Sequence, residues 1–150
     1  MSEYYFAFGS NMDEVRIKKR ITKFSERFGG KLKDMELVFN KKAYGKERIG
    51  YANIMPKLGS KVEGIVYKIS EQAVLKLDEA EVVPKHYQKS YMYIESDNGK
   101  IFKCLTYIAN PIQIMEGLKP EKAYLAYLLA GKELLSKDYF ENLKNAETID

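Results

Sequence analysis

Hydrophobic and polar positions change period several times along the chain. Residues 4–8, YYFAF, form an unbroken apolar run that ends at Gly9-Ser10-Asn11, and DEVRIKKRI follows with apolar residues at helical spacing. A short continuous apolar run suits a strand covered on both faces, and the 3.6-residue period after it suits a helix over about residues 13–20, with Ser10 or Asn11 available as its cap. MELVFN (35–40) reads as a strand with Gly29-Gly30 as the loop before it; GYANIMP (50–56) and KVEGIVYKI (61–69) read as two further strands separated by KLGS. Ser70 caps a helix, EQAVLKLDEA (71–80), that turns Val74 and Leu77 toward one face, and Val83, preceding Pro84, should be extended. HYQKSYMYIES and KIFKCLTYIA alternate on either side of Asp97-Asn98-Gly99, the strongest hairpin signal in the chain, since both residues of an Asn-Gly turn tolerate positive φ. The C-terminal PEKAYLAYLLAGKELL predicts a helix with Ala123, Tyr127 and Ala130 near one side, and KDYFENLKN a second short one. Strands of several kinds with helices set around them predict an α+β fold built on a small, curled, largely antiparallel sheet.

Length and composition narrow this picture. With 150 residues, 45% of them hydrophobic, and no Pro/Gly/Ser-rich linker, the chain can bury one good core and reads as a single domain over 1–150. No apolar stretch is long enough to cross a bilayer, and the N-terminus lacks the order of a signal peptide, so no membrane association and a cytoplasmic location are expected. The lone Cys104 sits in an alternating pattern and is expected to be a buried neutral thiol. Leu125, Leu128 and Leu129 suit the core or an interface equally well, which leaves a homodimer open.

Charge is uneven. From Arg16 to Arg48 there are 12 Lys/Arg against 4 Asp/Glu, a net of +8 that leaves −4 elsewhere out of a total of +4. These residues spread over a helix, a loop and a strand, with no recognition helix, zinc-ligand spacing or RNA-binding aromatic signature, so nucleic acid is not the expected partner. A solvated face that attracts small anions is the simpler account.

The inventory of reactive groups excludes more. One histidine, His86, rules out multi-histidine zinc sites and would have to carry any Ser-His-Asp triad alone. There is no G-x-S-x-G elbow, no G-x-x-x-x-G-K-[ST] and no G-x-G-x-x-G, so no metal, nucleotide or other cofactor is expected. Acid/base work by a carboxylate remains. In LDEAEVVPKHY, Asp78, Glu79 and Glu81 crowd the negative end of a helix, where carboxylates are disfavoured. Glu81 lies nearest the helix exit, where a cavity can open, and like charges together with Tyr87 would raise its pKa into the range of a general base; Asp78 and Glu79 are better placed to pair with lysines. At the other motif, the first N–H groups of a helix opening at Gly9-Ser10-Asn11 can hold a carboxylate or an oxyanion.

YFAFGSNM, GYANI, VEGIVYKI, LDEAE…Y and YLAYLLAGKELL…YFENL occur in an order and spacing that resemble the gamma-glutamylcyclotransferase family over nearly the whole chain. The resemblance implies a β-barrel-like sheet with helices packed around it. It implies that the Gly-Ser-Asn turn holds the γ-glutamyl part of a small substrate, that Glu81 is the catalytic carboxylate, and that Tyr87 is the tyrosine following it. Phe8 and, with less weight, Tyr107 join the substrate-binding set of Gly9, Ser10, Asn11 and Tyr87. The implied reaction is cofactor-free closure of a γ-glutamyl amino acid, peptide or amine to 5-oxoproline with release of the amine, chemistry connected with glutathione metabolism. The alternatives are a non-catalytic small-molecule or partner-binding domain on the same scaffold and, as a lesser variant, a Glu-dependent amidase. Two residues depart from the family pattern: Phe8 stands where Tyr is usual, removing a hydroxyl, and Val82 stands where Gly usually follows the glutamate. A β-branched residue avoids backbone angles open to glycine, so the loop beside Glu81 is expected to be set differently.

Overall fold

Alternation along the first strand divides two hydrophobic cores. In the computed structural model, which describes residues 1–150, β1 (Ser2–Ala7) sends Tyr5 and Ala7 to one side while Phe6, and Phe8 beyond it, go to the other. The side holding Phe6 and Phe8 is the interior of a closed five-stranded barrel, filled also by Leu32, Ile54, Val66, Ile94 and Cys104. On the other side Tyr5 and Ala7 join Ile65, Tyr67 and Leu105 of the barrel wall under the helices. YYFAF is thus covered on both faces, as its unbroken apolar character requires.

The other strands are β2 (Glu26–Lys42), β3 (Gly50–Ser70), β4 (Tyr87–Ser96) and β5 (Ile101–Ala109), ordered β1-β3-β2-β4-β5. All neighbours are antiparallel except β1 and β5, whose parallel contact at Tyr4↔Cys104 and Tyr5↔Leu105 closes the barrel. The fold is therefore α+β on a largely antiparallel barrel. No helix is long and apolar enough to cross a membrane.

Long strands replace several of the expected short ones. Gly29 and Gly30 lie within β2 and not in a loop, and GYANIMP and KVEGIVYKI are one strand with KLGS inside it. The β2–β3 register jumps between Lys33/Lys61 and Met35/Pro56, so residues 57–60 oppose Asp34 alone; the Asp34 side chain accepts from Gly59 N at 2.9 Å and holds the bulge. Gly30 is there for space: a Cβ would sit 2.5 Å from Ile94 Cγ2, at the short β2–β4 contact where Gly30 pairs with Ser96. The Asn-Gly hairpin forms, but only Gly99 has positive φ, while the Asn98 side chain accepts from Lys100 N and Ser96 Oγ. This is the longer hairpin loop with a glycine bulge, not the two-residue turn.

Four helices cover the barrel: α1 (Glu14–Ile21), α2 (Glu71–Ala80), α3 (Lys122–Leu129) and α4 (Lys137–Lys144). The predicted C-terminal helix divides, with α3 ending before a 3₁₀ turn at Lys132–Leu134. Ile17 and Ile21 of α1, Val74 and Leu77 of α2, and Leu125 and Leu128 of α3 are buried in the outer core, each stabilising the fold by about 1.5–3 kcal/mol. Cys104 is buried and unpaired, and burial pushes its thiol up to about 12. This packing fixes the start of α1 and the end of α2 at the same rim of the barrel.

Candidate functional site

The chain leaves β1 at Gly9 and enters a 3₁₀ turn, Ser10–Met12. Only glycine fits there without displacement, since a Cβ would lie 3.2 Å from Ala52 Cβ and 3.3 Å from the Tyr124 hydroxyl. The turn is built by Met12 N donating to Gly9 O at 3.0 Å and Asp13 N to Ser10 O at 3.2 Å. Those bonds use carbonyls and leave the Gly9, Ser10 and Asn11 amides outside them. The cap of α1 is not Ser10 or Asn11 but Asp13, whose carboxylate accepts from Arg16 N at 2.9 Å.

Ser10 and Asn11 are occupied by the site itself. Ser10 Oγ accepts from Arg16 Nε at 2.9 Å, and the Arg16 guanidinium lies 4.4 Å from the centre of the Tyr127 ring. Asn11, buried, donates to the Tyr5 hydroxyl at 3.0 Å and accepts from Arg20 at 3.1 Å. Arg20 also donates to Glu81 Oε1 at 3.2 Å. A chain of bonds therefore runs from the Gly-Ser-Asn turn through Arg20 to Glu81, 61 residues further on.

Glu81 caps the C-terminus of α2, with its N–H on Leu77 O at 2.8 Å. The helix closes as Val82 N bonds Glu79 O at 3.1 Å and Val83 N bonds Asp78 O at 3.0 Å, an ending that requires a left-handed residue at position 82 and usually has glycine there. Val82 adopts it, with φ 50°. Valine thus takes backbone angles that a β-branched residue was expected to avoid. Three backbone bonds across residues 77–83 over-determine the turn, and the valine accepts a strain of roughly 1–2 kcal/mol. The carboxylate is only 15% exposed. Burial raises its pKa above the ordinary carboxylate value, and the charges of Arg20, Arg16 and Lys41 offset this only in part.

Aromatic side chains form the remaining wall. The Tyr87 hydroxyl donates to Ala52 O at 3.0 Å, and Ala52 N donates to the Tyr124 hydroxyl at 3.0 Å, leaving the Tyr124 proton free to turn toward a ligand. Tyr107 donates to Asp78 at 2.7 Å, and Lys89 pairs with the same carboxylate at 3.2 Å. Tyr87 and Tyr107 thus commit their hydroxyl protons to the protein.

All seven residues singled out from the sequence, Phe8, Gly9, Ser10, Asn11, Glu81, Tyr87 and Tyr107, line one cavity of about 700 Å³. Sequence reasoning missed Arg16, Arg20 and Tyr124 and took the basic residues near the N-terminus for a solvated face; the available signal was the i,i+4 spacing of Arg16 and Arg20 directly after the turn. It also missed a buried pair at the far side. Lys41, 3% exposed, places Nζ 2.7 Å from His86 Nδ1 and 2.7 Å from Lys42 O. Burial brings the lysine down to about 8, although the charge of Glu81 opposes this, and burial with Lys41 lowers His86. No group of three or more His, Cys, Asp or Glu side chains is arranged to hold a metal ion.

Comparison with known proteins gives this arrangement its relatives. A structure described as a gamma-glutamyl cyclotransferase superimposes with a TM-score of 0.89 at 29% identity, over 100% of this chain and 90% of that one. The human protein loc79017 gives 0.88 at 29% identity, over 99% and 90%. YkqA from Bacillus subtilis gives 0.84 at 28%, with 98% of this chain covering 56% of that one. No curated protein sequence matches. The AIG2-like family model matches residues 61–143, more than half of the sequence and the part that carries Glu81, and the chain belongs to the AIG2-like family.

Proposed function

We propose that this protein cyclises the γ-glutamyl group of a γ-glutamyl amino acid, peptide or amine to 5-oxoproline. The observation that carries the reading is a largely buried carboxylate, Glu81, lining the same cavity as the Gly9–Asn11 turn, with burial raising its pKa. Its similarity to a structure described as a gamma-glutamyl cyclotransferase supports the same reading.

The reaction needs no second reactant. The substrate's α-amine attacks its own γ-carbonyl carbon, a new C–N bond closes the five-membered ring, and the bond to the leaving amine breaks. Glu81, ionised, takes the proton from the ammonium and later returns one to the leaving nitrogen; a raised pKa suits both transfers. The amides of the 3₁₀ turn and the Tyr124 hydroxyl against Gly9 face the tetrahedral oxyanion, so Tyr124 supplies from α3 the hydroxyl that Phe8 lacks. Arg16, held by Ser10 and Tyr127, offers its guanidinium to the substrate α-carboxylate. The aromatic wall folds the substrate into the ring-closing shape.

Incubation with γ-glutamyl-alanine and a panel of γ-glutamylamines, followed for 5-oxoproline, tests this. Ring product that is lost in Glu81→Gln is the expected result. Free glutamate in place of the ring product would indicate an amidase, and no product from any member of the panel would favour a binding domain.

A further inference from the structure

Beside the main cavity lies a second, of about 540 Å³, and the two share Tyr44, Lys46, Lys85 and His86 in their walls. Together they hold far more than a γ-glutamyl dipeptide, since the first alone is within the 300–1,000 Å³ range that takes a drug-sized ligand. The second is basic: Lys42, Lys46, Arg48 and Lys85 line it against a single carboxylate, Glu47. Lys46 is paired with Glu121 at 3.2 Å, but Lys42, Arg48 and Lys85 have no carboxylate within 4.0 Å, although most lysines elsewhere on β2 and β3 do. At the junction the Lys41 ammonium, also without a carboxylate, occupies His86 Nδ1, which places the imidazole proton on Nε2 as a donor.

We propose that this lobe is the subsite for the leaving half of the substrate and that the leaving half is acidic, an amino acid or peptide carrying at least two carboxylates, such as glutamate or an oligo-γ-glutamyl chain. The inference rests on the cyclisation proposed above and narrows its substrate class. With the γ-carbonyl held between Glu81 and the Gly9 turn and the α-carboxylate on Arg16, the wall left for the amine is the one lined by Tyr44, Lys46, Lys85 and His86, which the two cavities share. There its carboxylates meet cations that have no partner in the protein.

The test compares kcat/KM for γ-glutamyl-glutamate, γ-glutamyl-glutamine and γ-glutamyl-ethylamine, with 5-oxoproline as the readout. The first two match in shape and differ by one charge. γ-Glutamyl-glutamate is expected to lead γ-glutamyl-glutamine by about tenfold at low ionic strength, mostly through KM, with the ethylamine lowest. The lead should shrink at high salt, because the lobe is open to solvent. The pair Lys42→Gln and Lys85→Gln should bring the glutamate-to-glutamine ratio toward one. Equal rates for the two dipeptides, or a ratio that survives both salt and the double substitution, would overturn the acidic subsite and leave cyclisation standing. No 5-oxoproline from any of the three would overturn the cyclisation reading and this one with it.

Discussion

Two glutamates, both largely withdrawn from water, are treated oppositely by this molecule. Glu63, on β3, accepts from Ser136 N at 2.7 Å, from Ser136 Oγ at 2.6 Å and from Lys61 at 2.6 Å. Burial pushes its pKa up, but these bonds outweigh burial and bring it below the ordinary value. Its oxygens are filled, and in exchange it ties the start of α4 to the barrel. Glu81 has one bond, from Arg20 at 3.2 Å, and its pKa is raised. What separates Glu63 from Glu81 is the number of donors aimed at each, with burial common to both. The fold leaves one oxygen of Glu81, Oε2, without a protein partner at the wall of a cavity.

Substitutions should sharpen that contrast. Glu81→Gln is expected to lower the cyclisation rate by about a thousandfold, within the range lost with a general base, while the unfolding midpoint at neutral pH stays level or rises. Steady-state kinetics beside thermal melting checks both halves. Glu63→Ala should do the reverse. Losing charge-assisted bonds at a buried site costs about 2 kcal/mol of stability, read by urea denaturation, with the rate per folded molecule unchanged.

Removing Arg20 should move Glu81 further from the Glu63 case. Arg20→Met withdraws a charge that favours the ionised form, so the pKa rises further. Since the proposed reaction needs Glu81 ionised as its base, the acidic limb of the kcat/KM profile should move up by about one pH unit. A limb that stays in place would mean that Glu81 is not the titrating group.

The two glutamates also have opposite linkage to pH. Between the lowered pKa of Glu63 and the ordinary carboxylate value the unfolded chain binds more protons, so the stability Glu63 provides is gained as pH rises through that window and lost on acidification. Between the ordinary value and the raised pKa of Glu81 the folded chain binds more, so stability falls as pH rises there. Comparing Glu63→Gln and Glu81→Gln melts across acidic pH should show the two slopes removed separately. The smallest effect is expected at Val82. Val82→Gly relieves the left-handed strain but adds freedom to the unfolded chain, for a net gain of about 0.5–1 kcal/mol in the melt.

Much of this was legible in the sequence because its signals are local. The Ser70 cap, the extent of the helix at 71–80, the double burial of YYFAF and the hairpin around residues 97–99 follow from side-chain period and turn chemistry over ten or fewer residues. Where it misled, a long-range contact decided. Gly29-Gly30 reads as a loop by composition, yet Gly30 lies mid-strand because Ile94, from a strand 64 residues away in sequence, needs the space of a side chain. Val82 reads as barred from glycine's angles, yet the bonds that close α2 hold it there.

The candidate site divides in the same way. Composition weighed against metal and nucleotide chemistry, and the placement of three carboxylates at a helix end drew attention to Glu81; both are properties of which residues are present and of one helix. That Arg16 and Arg20 face inward, that Tyr124 comes from α3 to meet Gly9, and that Lys41 rests on His86 are matters of closure. A barrel brings distant strand ends to one rim only after every strand has paired. The amino-acid sequence on its own determined which groups could do chemistry and which local elements would carry them. Tertiary structure alone decided which of them share a cavity and how many hydrogen bonds each receives, because desolvation and donor count depend on neighbours that the chain supplies from far away.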